Sequence, residues 1–275
     1  MKLVLVLHPT RPTAAATAAR LVAAAAERGI TVSGTPGDAA RVPGLEVGAE
    51  PGEGDVVVAV GGDGTVLEAA RVARAAGLPV LGVNAGTLGF LAEVEPARIA
   101  AALDALVADE YVVARRMTVE VTLPGGATVD GLNDVVVEKA ISRQVVGVAV
   151  SVGDEPLVEY RADAVIVATP TGSTAYTFSA GGPLVDPDIE ALILTPVAAH
   201  SMFGRAIVFS PDVVLDILVT SDRRARVNVD GRTCGELSPG DAIRVTRGKS
   251  SVRLLRFEPR NFAHTVKEKF HLPDA

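Results

Sequence analysis

Between the apolar run Val56-Val57-Val58-Ala59-Val60 and an amphipathic stretch that begins at Val66 stands Gly61-Gly62-Asp63-Gly64-Thr65. Three glycines let a chain turn sharply and approach a ligand without Cβ clashes. The start of the helix predicted to follow offers unpaired N–H groups and the positive end of a dipole, a natural phosphate site. An acidic side chain in such a loop repels phosphate, so Asp63 needs another role. It can take a proton from an alcohol during phosphoryl transfer, help to hold Mg²⁺, or merely cap the helix. The loop lacks both the Gly-Lys-Ser/Thr ending of a Walker loop and the G-x-G-x-x-G spacing of a dinucleotide fingerprint.

Two further segments gather hydroxyls, amides and carboxylates. Residues 163–183 start at Asp163, run through Thr169-Pro170-Thr171-Gly172-Ser173-Thr174-Ala175-Tyr176 to Ser179, and end in Gly181-Gly182-Pro183. A strand that ends this way sets small hydroxyls and backbone groups against a flat polar ligand, with Tyr176 able to pack on a ring. Without a ligand it reads as a Ser/Thr/Gly-rich loop. Asn133-Asp134 suits the paired hydroxyls of a ribose, because the carboxylate accepts and the amide both donates and accepts. Equally, an Asn-Asp turn can lead into a strand.

Elements must hold these segments. Residues 3–7 form an apolar run fit for a buried strand, and an Ala-rich helix is expected over about 13–28, stopped at Gly29. Residues 33–54, rich in Gly and Pro, predict loops with one short strand. The strand at 55–60, the helix at 66–76 and the strand at 78–83 make a βαβ unit, followed by a helix at 95–109. From Arg116 period-two alternation takes over, at 119–123, 146–152, 213–219, 226–229, 243–245 and 252–254. Gly153-Asp154, Asp230-Gly231 and Pro239-Gly240 punctuate it. The expected architecture is an α/β N-terminal domain over 1–115 plus an all-β C-terminal domain over 116–255. Residues 260–275 carry no clear signal beyond Phe262 and Phe270 as anchors, and the tail from about 256 is expected to pack back on the first domain.

Together these segments resemble the NAD kinase family. Gly-Gly-Asp-Gly-Thr after a strand is shared with diacylglycerol and sphingosine kinases and phosphofructokinases, whereas 163–183 is similar to the long signature of NAD kinases. Gly82-Val83-Asn84-Ala85-Gly86-Thr87-Leu88-Gly89-Phe90-Leu91, Thr195-Pro196-Val197-Ala198-Ala199-His200-Ser201 and Asp230-Gly231 extend the resemblance over most of the chain. The resemblance implies an NAD kinase-like two-domain fold with the active site in the interdomain cleft. It implies transfer of the γ-phosphate of ATP to the 2′-hydroxyl of the adenosine ribose of NAD, giving NADP. Asp63 would be the general base, with Gly62, Gly64 and Thr65 against phosphates and Asn133 and Asp134 on the ribose. Asp163, Thr174, Ala175, Tyr176 and Ser179 would surround adenine rings, with Ala198 beside them and Arg161 as a phosphate partner. The resemblance further implies Mg²⁺ carried in with ATP, no metal site of the protein's own, and a homodimer or homotetramer.

The match departs at four places. Asp134 replaces the usual Glu, Ala164 the usual Gly, Gly204-Arg205-Ala206 lacks the usual Arg-Pro, and Glu68 stands where a basic residue is usual. Either Arg71 or Arg161 would then substitute for the missing positive charge, or affinity would be lower. Two rivals stand: a non-catalytic NAD-binding regulatory paralogue, which Glu68 keeps open although Asp63 and Asn133 are intact, and a lipid kinase sharing only the glycine loop, against which the acidic surface and the 163–183 segment speak. A net charge of −7 speaks against nucleic acid and anionic membrane as partners. The single cysteine, Cys234, excludes an intramolecular disulfide and a multi-Cys metal site. His200 reads as structural rather than as an acid or base. Pro9, Arg11 and Pro12 break the apolar start far short of the roughly 20 residues a membrane helix needs, so a cytoplasmic protein is expected.

Overall fold

The computed structural model describes residues 1–48, 51–86, 89–142, 144–258 and 261–273. It divides into two compact units, Met1–Arg115 with Val252–Ala275, and Arg116–Ser251.

In the first unit the chain runs β1 (Lys2–Leu7), α1 (Pro12–Ala26), β2 (Thr31–Gly34), α2 (Pro36–Ala39), β3 (Glu46–Val47), β4 (Val56–Gly61) and α3 (Asp63–Ala75). It continues with β5 (Pro79–Asn84), α4 (Ile99–Val107) and β6 (Val112–Arg116), and returns late with β19 (Val252–Arg256) and α6 (Phe262–Phe270). The sheet order is β3-β2-β1-β4-β5-β19-β6, and the strands from β3 to β19 pair in parallel. Ala14, Ala18, Leu21 and Ala25 form the helical stripe of α1 that packs on Leu3, Leu5, Val58 and Val60 of the sheet. Small side chains let the helix lie close, which suits an Ala-rich sequence.

Three expectations change here. The helix after the glycine loop starts at Asp63 rather than Val66. Residues 252–254, expected in the β-rich domain, instead pair with β5, Arg253 opposite Pro79 and Leu254 opposite Val80. Period-two alternation reports which faces of a strand are buried, not which sheet takes it. The tail forms α6, whose cap is Asn261: its side chain accepts from the N–H of Ala263 at 2.9 Å and of His264 at 3.4 Å.

The second unit contains β7 (Val119–Thr122), β8 (Thr128–Gly131), β9 (Asp134–Lys139), β10 (Val146–Val152), β11 (Glu155–Ala162), β12 (Ala164–Ala168) and α5 (Tyr176–Ser179). It ends with β13 (Leu192–Val197), β14 (Ile207–Phe209), β15 (Leu215–Val219), β16 (Ala225–Val229), β17 (Arg232–Leu237) and β18 (Ala242–Arg247). Two antiparallel sheets, β11-β10-β15-β18-β7-β8 and β14-β13-β12-β9-β16-β17, share one core. Apart from α5 and a short 3₁₀ turn at Gly172–Thr174, the regular structure among the described residues of this unit is all β. Along β9, Val135 and Val137 face that shared core, while Val136 joins Ala164, Ile166, Ala168 and Ile193 on the opposite face. By the same period Asp134 and Glu138 belong to that opposite face.

Candidate active site

In the first unit β2 and β3 lie on one side of β1 while β4 and β5 lie on the other, so the strand order reverses between β1 and β4. Open α/β sheets bind ligands outside the carboxyl ends of the strands at such a reversal. A cavity of about 390 Å³ lies there, lined by His8, Arg11, Gly62, Asp63, Gly64, Thr65, Glu68, Gly89 and Lys269 among others. Gly64 is exposed and open, whereas Thr65 is buried with its hydroxyl packed over Gly61. Thr87 and Leu88, within the family-like segment after β5, lie outside the described residues.

Asp63 is the first residue of α3, and Gly62 occupies the cap position. The Asp63 carboxylate does not cap the helix. One oxygen accepts from the Phe90 N–H at 2.9 Å and the other from the Leu91 N–H at 3.0 Å. Two amides thus fix the carboxylate plane and leave each oxygen a further lone pair to accept a proton. Gly89 allows this arrangement, since a Cβ there would lie 2.1 Å from an Asp63 oxygen. Gly89→Ala should therefore displace the carboxylate and lower kcat at least tenfold with little change in melting temperature. Steady-state kinetics alongside thermal unfolding checks this; full turnover would show that Asp63 tolerates displacement.

Glu68 lines the cavity and pairs with Arg71 at 2.5 Å. Arg71 is thereby committed to Glu68. The cations in the cavity wall are instead Arg11 and Lys269, which no motif points to. The signal that could find Arg11 is positional, since it follows the carboxyl end of β1, one strand from the glycine loop.

In the second unit, β9, β12 and β16 bring the sugar-type residues to one end of their sheet. Asp134 pairs with Ala168, and Val135 with Val229 of β16, so Asn133, Thr169 and Asp230 meet. The Asp230 carboxylate accepts from the N–H groups of Leu132 at 2.7 Å, Asn133 at 2.7 Å and Asp134 at 3.2 Å. The Thr169 hydroxyl donates to the Leu132 carbonyl at 2.6 Å, and the Thr169 N–H to the Asn133 carbonyl at 2.8 Å. A Cβ on Gly172 would lie 2.1 Å from that same carbonyl oxygen, so only glycine allows this approach. Asn133 is buried, and its side-chain oxygen has no hydrogen-bond partner. An acceptor left open at such cost is what a ligand hydroxyl would satisfy.

Asp163 and Ala198 stand at the other end of β12, where Ala164 pairs with Glu138 and Val197. Asp163 there receives Lys139 Nζ at 2.5 Å. Ala198 is exposed with φ +48°, and Arg161 is exposed on β11 with its carbonyl accepting from the His200 N–H at 2.7 Å. Tyr176 opens α5, which packs on β12. Burial, then the charges of Glu138, Asp163 and Asp134, push its phenol pKa up. Tyr176 and Ser179 are exposed on α5, with Thr174 and Ala175 half-buried just before it. His200 is exposed, and burial pushes the half-buried Cys234 thiol up, away from a reactive thiolate.

Burial, helped by the Asp230 charge, raises Asp134 from 3.8 to about 7. Folding favours its protonated form, so its stabilising contribution is complete below pH 3.8 and is lost as pH rises towards 7. A ligand hydroxyl that donates to this carboxyl is held more strongly by its ionised form. NAD affinity should thus rise from pH 6 to pH 8, with a proton released on binding near neutrality, and Asp134→Asn should flatten this dependence. Calorimetry in buffers of different ionisation enthalpy measures it.

Two family models match the chain, the ATP-NAD kinase N-terminal domain over residues 48–111 and the ATP-NAD kinase C-terminal domain over residues 132–257. The NAD kinase of Symbiobacterium thermophilum is 39% identical, with 98% of each chain covered. This chain belongs to the NAD kinase family. The NAD kinase of Mycobacterium bovis is 43% identical over 80% of this chain and 73% of its own. Among solved structures, an NAD kinase from Archaeoglobus fulgidus in complex with ATP has a TM-score of 0.75 at 25% identity, covering 97% of this chain and 99% of its own. Yeast NADH kinase complexed with NADH has a TM-score of 0.87 at 22% identity, covering 100% and 89%, a likeness of fold. An α/β N-terminal domain and a β-sheet C-terminal domain are what the family relationship and the two units both give.

Proposed function

We propose that Asp63 is the general base by which this chain performs the family's reaction. The chain is a phosphotransferase that moves the γ-phosphate of ATP to the 2′-hydroxyl of the adenosine ribose of NAD, giving NADP. As the new O–P bond forms, the hydroxyl proton passes to Asp63, and the bond to the leaving ADP breaks. The observation that carries this role is the carboxylate held by two backbone amides in the wall of the cavity at the head of α3.

The donor phosphates lie against the Gly62–Gly64 turn and the N–H groups that open α3. Arg11 supplies the positive charge that position 68 lacks. Mg²⁺ arrives with ATP. It prefers phosphate and water oxygens to an all-protein cage, which suits a cavity whose wall, among the described residues, carries the Asp63 and Glu68 carboxylates. Asn133 and Asp134 hold the ribose of NAD. Asp163, Thr174, Ala175, Tyr176 and Ser179 surround adenine, with Ala198 beside them and Arg161 as a further phosphate partner. The family resemblance favours a homodimer or homotetramer in the cytoplasm; no helix among the described residues is long and apolar enough to cross a membrane.

Arg11→Ala should raise KM for ATP about tenfold with a smaller change in KM for NAD, as initial rates at varied ATP would show. The test of the whole reading is formation of NADP and ADP in equal amounts from NAD, ATP and Mg²⁺. NAD binding without NADP would leave a binding protein.

A further inference from the structure

The amides that fix Asp63 belong to Phe90 and Leu91, and the Phe90 ring is held from outside its own segment. Phe262 and Phe270 of α6 lie with ring centroids 6.5 Å and 6.2 Å from it, tilted at 44° and 47°. Both separations fall in the range where aromatic rings attract beyond their burial. The two helix residues are eight apart, so their positions differ by about 12 Å along the helix axis. Phe90 fills the space between them. Lys269, from the same turn as Phe270, sets its ammonium 5.9 Å from the Phe90 ring centre.

Residue 90 thus meets two demands at once. Its N–H must point at an Asp63 oxygen, and its ring must seat between two rings of α6. The next residue is equally constrained: the Leu91 N–H holds the other oxygen, and a Cβ added to Gly82 would lie 3.1 Å from the Leu91 carbonyl. We infer that α6 is a positioning element for catalysis, its Phe262–Phe270 clamp on Phe90 holding the amides that aim Asp63. This rests on Asp63 being the general base. It gives the C-terminal helix a role in rate besides the Lys269 that it sets in the cavity wall, since the clamp acts on the base's support.

The test is a kinetic cycle of Phe262→Ala/Phe270→Ala with Asp63→Asn, with circular dichroism as a check of folding. The double alanine variant should lower kcat about ten- to thirtyfold with KM for NAD and ATP within threefold of wild type. In the Asp63→Asn background the same change should cost less than twofold in single-turnover rate, because the base it aims is already gone. Phe262→Leu/Phe270→Leu, which keeps apolar bulk but loses the ring contacts, should lower kcat about three- to tenfold with the same KM values, and serves as the readout if the alanine pair misfolds. His264→Ala, on the exposed side of α6 where His264 meets Glu268, should match wild type. Wild-type kcat in both clamp variants, or an equal loss in the Asp63→Asn background, overturns the inference while the base stands. Wild-type kcat in Asp63→Asn itself overturns the base, and the inference with it.

Discussion

Asp63→Asn should lower kcat for NADP formation by about 10²- to 10⁴-fold while the Kd for NAD stays within about threefold. The substitution keeps the shape of the side chain but removes the proton-accepting charge. One oxygen still accepts from Phe90 or Leu91, and the amide NH₂ then faces the other N–H, a donor against a donor. The cost of that one unpaired contact, about 1 kcal/mol, is small beside a rate loss of this size. Asp63→Ala would be a poorer probe, because it frees both amides and empties the space that Gly89 leaves for the carboxylate. If kcat and kcat/KM fall together, the lost interaction existed only in the transition state. Stopped-time NADP assays with a thermal unfolding control measure both quantities. A variant that keeps wild-type turnover would remove Asp63 from the chemistry.

The second large effect is on the sugar site. Asp230→Ala should weaken NAD binding at least a hundredfold and lower stability by about 2–4 kcal/mol, because three amides lose their shared acceptor. Those amides belong to Leu132, Asn133 and Asp134, so the residues that hold the ribose lose their orientation together. Asp230 also sits at φ +49°, where Asp and Asn are tolerated better than Ala. Asp230→Asn separates the contributions. It keeps the backbone geometry and one acceptor oxygen but removes the charge, so it should lose less stability. With that charge gone the Asp134 pKa should fall, though burial, its larger cause, still holds it above 3.8. Calorimetric titration with NAD and thermal unfolding read the two variants. Unchanged NAD affinity in Asp230→Ala would detach this turn from the binding site.

Much of this site is legible in local sequence. The strand, glycine loop and helix around Asp63 are marked by composition at each step, and the alternation along β9 puts Asp134 and Glu138 on one face. What local pattern does not carry is partnership. Asp63 followed by a helix looks like a cap, but its carboxylate is held by amides of Phe90 and Leu91, far along the chain. Asp230-Gly231 reads correctly as a turn, yet nothing local says that the carboxylate gathers three amides near Asn133. Arg11 becomes visible only once β1 and β4 are neighbours, because strand order is not a property of periodicity. The same reason moves residues 252–254 from one sheet to the other. The last helix was within reach: Asn261 is a recognisable cap, and Phe262 and Phe270 are its anchors, but the partner of those rings had to be seen.

The most direct test of the account follows the phosphate itself. NAD, Mg²⁺ and ATP labelled at the γ-position are incubated with the protein, and the labelled product is located by phosphorus NMR. The account predicts label on the 2′-oxygen of the adenosine ribose, with ADP unlabelled and Asp63→Asn yielding product only at a strongly reduced rate. Label that stays on ATP or goes to water while NAD binds would contradict it, and would leave a protein that holds the dinucleotide without phosphorylating it.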